Sequence, residues 1–106
     1  MKRTAVNLVL GLLLVCGAHA AKPNVEKLAE SCKRCHGAAG ISSDPKRPSI
    51  AGRSAQELHR ALQSYKTGSR SGSRGMTAAA QALSATEMRL LAKYFSALPA
   101  EKNLGR

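Results

Sequence analysis

The chain has 106 residues, which is enough for one small domain and too few for two. Lysine and arginine outnumber aspartate and glutamate by 17 to 6, and only 3% of the residues are aromatic. A formal net charge of +11 favours an acidic partner. Without rows of aromatic residues or an arginine-rich run, the chain is not expected to bind nucleic acid.

Residues 1–20 have the pattern of a secretory signal peptide. Lys2 and Arg3 precede an apolar run, and Ala18-His19-Ala20 supplies the small residues of a cleavage site. The alternative is an uncleaved membrane anchor, but the apolar run is too short to span a hydrocarbon core of about 30 Å. We therefore predict that cleavage releases a periplasmic domain of residues 21–106 that has no membrane span.

The mature chain begins with a predicted helix over residues 24–34. Asn24 is suited to cap its first turn, and Gly37 and Gly40 are placed to end it. Four apolar residues recur at helical spacing and predict one buried stripe: Val25, Leu28, Ala29 and Cys32. Residues 37–53, rich in glycine, proline and serine, are predicted to be a loop.

A second predicted helix begins at Ser54, where Ser54-x-x-Glu57 forms a capping-box pattern, and it stops at Gly68. Its apolar face comprises Leu58, Ala61, Leu62 and Tyr65. Residues 69–75 are predicted to be a flexible basic loop, and a short helix is one interpretation of residues 76–82.

The last predicted helix starts with the capping-box pattern Ser84-x-x-Glu87 and is closed by Pro99. Its core stripe comprises Met88, Leu91, Ala92, Phe95 and Leu98. Because no strand pattern is present, the fold class is all-α with three main helices and long loops. Such a fold has a thin core, and long loops in a small domain usually serve a function. A large apolar cofactor where the loops meet would account for both features.

Residues 32–36 read Cys32-Lys33-Arg34-Cys35-His36, which is C-x-x-C-H, the attachment signature of c-type haem. Residues three apart share a helix face, so both thiols can reach the two vinyl groups on one porphyrin edge. His36 would then place its imidazole against the iron. We predict one haem c, bonded to Cys32 and Cys35, with His36 as an axial ligand.

Three other uses of these residues are possible. Zinc needs about four ligands, and the mature chain offers only Cys32, Cys35, His36 and the distant His59. A thioredoxin-like redox pair would need a βαβ pattern, which is absent. A structural disulfide between Cys32 and Cys35 would close too short a loop to stabilise the fold much.

The second axial ligand must come from Met76, Met88 or His59 if the iron is six-coordinate. Met88 belongs to the core stripe of the last helix, and His59 falls beside the apolar face of the second, where we expect a surface histidine. Met76 sits in a Gly/Ser-rich segment with no stripe to join. Its thioether is a soft donor suited to reduced iron, so we predict Met76.

In chain order these segments resemble class I bacterial cytochromes c, the small periplasmic single-haem carriers, over roughly residues 24–99. The matching motifs are C-x-x-C-H-G at 32–37, P-x-x-A-G at 48–52, Y-K-x-G-x-R at 65–70, Met76, and L-S-x-x-E at 83–87 with Tyr94-Phe95.

The resemblance implies that the first and last helices cross, with Val25, Leu28 and Ala29 meeting Leu91 and Phe95. It also implies that the Pro48 carbonyl accepts the Nδ1 proton of His36, and that Ile50 and Tyr65 line the haem. No tryptophan is present to hold a haem propionate, so Arg53 or Arg47 is expected to do so.

The function implied is one-electron transfer by Fe(III)/Fe(II) cycling between redox proteins, without catalysis. We expect a monomer that docks transiently on acidic redox partners through a basic collar around the haem edge. The collar residues would be Lys33, Arg34, Lys46, Arg47, Arg70 and Arg74. Two alternatives stay open: the electron-accepting haem subunit of a sulfide-oxidising flavocytochrome, and a five-coordinate haem protein that binds a gas or peroxide.

Overall fold

A computed structural model describes residues 22–101, which form four α-helices and no strand. The helices are α1 (Val25–His36), α2 (Ala55–Thr67), α3 (Arg74–Gln81) and α4 (Ala85–Ser96). The predicted all-α class is confirmed, with α3 added to the three main helices. The predicted signal peptide lies outside the described residues. Within the described range, no helix has the length and apolarity needed to cross a membrane.

The helix starts lie where the capping residues predict them. Asn24 caps α1 by accepting the Lys27 N–H at 3.1 Å, and the reciprocal capping box of Ser84 and Glu87 opens α4. The box predicted at α2 is only half present. Ser54 accepts the Glu57 N–H at 3.0 Å, but the Glu57 carboxylate does not return to Ser54. It accepts a hydrogen bond from a guanidinium nitrogen instead, as described below.

The core lies between α1 and α4. Ala29, Leu91 and Phe95 are almost completely buried and form one cluster. Half-buried apolar residues that pack against this cluster include Val25, Leu28, Cys32, Ile50, Leu58 and Leu62. The contact between the first and last helices that the resemblance implies is therefore confirmed. Leu91 is the largest fully buried side chain of the described residues, so the core is as thin as the short helices predict.

The loop between α1 and α2 is folded tightly onto the core. The Gly40 carbonyl accepts hydrogen bonds from the Ile50 N–H at 2.8 Å and the Ala51 N–H at 3.0 Å, and Gly52 donates to the Phe95 carbonyl at 2.9 Å. Gly40 has φ +76°, and a Cβ there would lie 3.0 Å from the Ala51 Cβ. Glycine is therefore required on both counts. The closed loop returns the chain to the end of α1, where His36 lies.

Candidate functional site

His36 is the last residue of α1 and only 8% exposed. Its Nδ1 lies 2.7 Å from the carbonyl oxygen of Pro48. A carbonyl only accepts, so Nδ1 carries the proton and the lone pair is on Nε2. The hydrogen bond implied by the resemblance is thus present. It fixes the tautomer and the ring orientation that a metal-binding imidazole needs.

Cys32 and Cys35 are both free thiols on the last turn and a half of α1. Cys32 is half-buried against the core cluster, and this burial raises the pKa of its thiol. Cys35 is exposed. Their spacing of three puts both thiols on the face of α1 that precedes His36. A single planar ligand across the end of α1 can therefore meet both sulfurs and the imidazole.

The structure corrects the setting of Met76, which was predicted to lie in a mobile loop. Met76 is the third residue of α3, and its N–H donates to the Ser73 Oγ at 3.1 Å. Its side chain is half-buried. The short helix that was one interpretation of residues 76–82 is therefore present, but it begins at Arg74 and ends at Gln81. Met88 is 4% exposed, which confirms its predicted place in the core.

His59 is half-buried, and its Nε2 is completely buried with no hydrogen-bond partner within residues 22–101. The expectation of a surface histidine was therefore wrong. Helix α2 packs against both α3 and α4. A side chain just beside its apolar stripe is consequently still covered by a neighbouring helix.

The apolar face of α2 shows that the fold suits a large apolar group. None of its 13 residues is buried, although the face carries the half-exposed apolar side chains Leu58, Ala61, Leu62 and Tyr65. Half-exposed apolar surface on an amphipathic helix indicates an interaction site. Covalent haem matches both this surface and the donor set of two thiols, an imidazole and a thioether.

The pockets and possible metal clusters of the described residues do not include these donors. An open pocket of about 630 Å³ is lined by residues 71–74 with Thr77, Ala78 and Gln81, and includes neither His36 nor the cysteines. Within residues 22–101, no group of three or more His, Cys, Asp or Glu side chains is arranged to hold a metal ion. The zinc alternative therefore finds no support in this part of the chain.

The remaining predicted pocket residues have partners of their own. Ile50 is half-buried against the core cluster, and Tyr65 lies under the Arg70 guanidinium, 5.1 Å from ring centroid to Cζ. Arg53 donates from Nε to the Ser49 carbonyl at 2.8 Å and from Nη1 to the Glu57 carboxylate at 2.9 Å. Its exposed guanidinium is thus already engaged at two nitrogens, and a role toward a haem propionate stays a prediction.

The basic residues predicted to form a collar are mostly exposed. Arg34, Lys46, Arg47, Arg70 and Arg74 are at the surface. Lys33 differs, because its Nζ donates to the Tyr94 hydroxyl at 2.8 Å, and this bond raises the pKa of Lys33. Arg53–Glu57 is the one ion pair among residues 22–101, so most of the positive charge there is uncompensated by nearby carboxylates.

Known proteins share similarity with most of this chain. Residues 24–98 match the family described as Cytochrome c. The chain is also similar to the cytochrome subunit of sulfide dehydrogenase from Chlorobaculum tepidum, with 39% identity over 87 residues. That match covers 74% of this chain and 77% of the relative. The matched family region includes α1 to α4 and every predicted haem-contacting residue.

Proposed function

The chain belongs to the cytochrome c family, and we propose that it is a single-haem electron carrier working outside the cytoplasm. Membership implies covalently attached haem c and haem-based electron transfer. When bound, haem c supplies a one-electron Fe(III)/Fe(II) couple. The protein's own residues determine how that group is held, how its iron is ligated and which partners approach it.

The observation that carries the proposal is the hydrogen bond from His36 Nδ1 to the Pro48 carbonyl. It holds the imidazole in the tautomer whose Nε2 can bind iron, and it increases the basicity of the ligand. Cys32 and Cys35, on the same end of α1, would form the two thioether bonds to the porphyrin. The geometry of α1 and its loop thus supports one attachment site and one axial ligand.

Met76 would occupy the opposite axial position. Its thioether is a soft donor that favours reduced iron, and it raises the reduction potential above that of His/His ligation. If His36 and Met76 both hold the iron, no coordination site would remain for a substrate. We therefore propose a carrier that does not itself catalyse a reaction, exported by the signal peptide predicted over residues 1–20.

The exposed basic residues support transient docking on an acidic redox protein. Uncompensated surface charge steers diffusional encounter and raises association rates. We therefore propose that the partner is an acidic electron donor or acceptor, that the protein does not bind nucleic acid and that the carrier is a monomer. Small, short-lived interfaces of this kind are typical of electron-transfer encounters.

A second candidate is the haem-bearing subunit of a sulfide-oxidising flavocytochrome. The observation that favours it is the similarity to a protein described as the cytochrome subunit of sulfide dehydrogenase. Affinity purification of the chain from its native host distinguishes the two. A flavoprotein that copurifies in stoichiometric amount supports the subunit, whereas recovery of the chain alone supports the free carrier.

Visible absorption spectroscopy of the mature protein tests the proposal, with Met76→Leu and the matched variant Met88→Leu beside it. We expect a sharp c-type spectrum on reduction and a weak red Fe–Met charge-transfer band on oxidation, which only Met76→Leu abolishes. A band that survives Met76→Leu would move the axial ligand elsewhere. A protein that gains no haem in a host competent to attach it would overturn the proposal.

A further inference from the structure

Lys66 joins α2 to the end of α3. Its Nζ donates hydrogen bonds to the Leu83 carbonyl, and to the Gln81 carbonyl at 3.3 Å. Lys66 is half-buried, and it lies in the last turn of α2. Gln81 is the last residue of α3, and Leu83 lies two residues beyond it. One ammonium group thus binds two carbonyls at the point where the chain leaves α3.

The bond to Gln81 reaches the last residue of α3, whereas the bond to Leu83 reaches the segment that follows the helix. The last carbonyls of a helix have no intrahelical partner and carry partial negative charge. A cation there makes charge-assisted hydrogen bonds, which are stronger than neutral ones. Helix α3 has only eight residues, which is shorter than an isolated helix needs to be stable in water. Tertiary contacts must therefore hold it, and Lys66 supplies one from α2.

The other end of α3 carries Met76. Ser73 caps this end, and its Oγ accepts the N–H of Met76 itself. Helix α3 has no acidic residue in its first turn and no basic residue in its last turn. Its own side chains therefore make no favourable interaction with the helix dipole. Because α3 is short, a shift of its C-terminal end is transmitted to the Met76 backbone barely a turn and a half away. Lys66 is placed to prevent that shift.

We propose that Lys66 is a positioning residue that keeps the Met76 thioether at the haem iron by holding the C-terminal end of α3. This inference rests on the proposed His/Met ligation. Both hydrogen bonds of the Lys66 side chain are to backbone carbonyls, so it acts through the backbone at the end of α3. Without it, Met76 leaves the iron more readily and an added ligand takes the vacated position more easily.

Imidazole titration of the oxidised, haem-loaded protein measures how readily Met76 is displaced. We expect Lys66→Met to bind imidazole about tenfold more tightly than the wild type, because two charge-assisted hydrogen bonds are lost. Lys66→Gln keeps one amide donor and should lie in between. It also provides a test should Lys66→Met fail to fold. Asn24→Ala removes the cap of α1 instead and should leave imidazole affinity within about twofold.

The outcomes separate this inference from the proposed function. If Met76→Leu binds imidazole no more tightly than the wild type, Met76 is not the ligand, and both the proposed His/Met ligation and the role of Lys66 fail. If Met76→Leu does bind it more tightly but Lys66→Met and Lys66→Gln do not, His/Met ligation stands and the role of Lys66 is overturned. An equal gain in Asn24→Ala would also overturn it, because the effect would then follow general loss of stability.

Discussion

His36 and His59 differ in whether their imidazole nitrogens have hydrogen-bond partners: His36 Nδ1 bonds to the Pro48 carbonyl, and the buried His59 Nε2 has no partner among residues 22–101. His36 was predicted from C-x-x-C-H, and the resemblance also anticipated its bond to Pro48. His59 was misassigned, because the helical stripe of α2 says nothing of the second helix that covers its flank. Burial of a polar atom depends on tertiary neighbours, which one helix's periodicity does not encode. Motif chemistry was therefore predictable here, and burial beside a stripe was not.

The unpartnered Nε2 of His59 leads to a prediction about stability. A buried polar atom without a hydrogen bond costs about 1–3 kcal/mol, so His59→Leu should leave the free energy of unfolding unchanged or raise it by about 1 kcal/mol. Chemical denaturation followed by circular dichroism measures this, with His59→Gln as the control that keeps a buried polar group. A loss above about 2 kcal/mol would show that His59 has a partner in the haem-loaded protein.

At the scale of elements, capping residues predicted more than periodicity did. Asn24, Ser54 and Ser84 fixed three helix starts to within one residue. Helix α3 was only one interpretation of the sequence, because R-G-M-T-A-A-A-Q has a weak apolar stripe and an internal glycine. The Ser73 cap and Lys66 both hydrogen-bond to the ends of α3, and the second of these contacts joins residues distant in sequence.

The cap of α3 should affect iron ligation as well as stability. Ser73→Ala removes the acceptor for the Met76 N–H, and Ser54→Ala removes the equivalent acceptor at α2. Each variant should lose about 1 kcal/mol of stability. Only Ser73→Ala should weaken the Fe–Met band and tighten imidazole binding, since only α3 carries the ligand. Equal spectral effects from the two variants would contradict a special role for α3.

For the whole molecule, a small buried core and a half-exposed apolar face on α2 have the same explanation. Seven apolar residues are buried among those described, and five of them are alanines or methionine. A chain with so little core usually needs a staple. The sequence predicted this shortage from helix lengths, and covalent haem against α2 would relieve it. The folded path of residues 37–53 was not predictable, because its backbone hydrogen bonds depend on where Gly40 and Phe95 meet.

The distribution of charge over the whole molecule leads to a kinetic prediction. Arg70, in the segment before α3, and Arg74, the first residue of α3, are both exposed, and no acidic residue lies between Glu57 and Glu87. Oxidation of the reduced protein by ferricyanide, an anionic probe, should therefore slow as ionic strength rises. The double variant Arg70→Glu/Arg74→Glu should react about tenfold more slowly at low salt.

The matched control is Arg89→Glu, which changes one exposed charge on α4. If positive charge near Met76 steers the oxidant, Arg89→Glu should lower the rate of oxidation by ferricyanide far less than the single change Arg74→Glu does. All variants should converge at about 1 M salt, where the Debye length falls to roughly 3 Å. A wild-type rate that is flat with salt, or equal slowing by Arg89→Glu and Arg74→Glu, would mean that the basic residues near α3 do not steer partners and act only as general solvated charge.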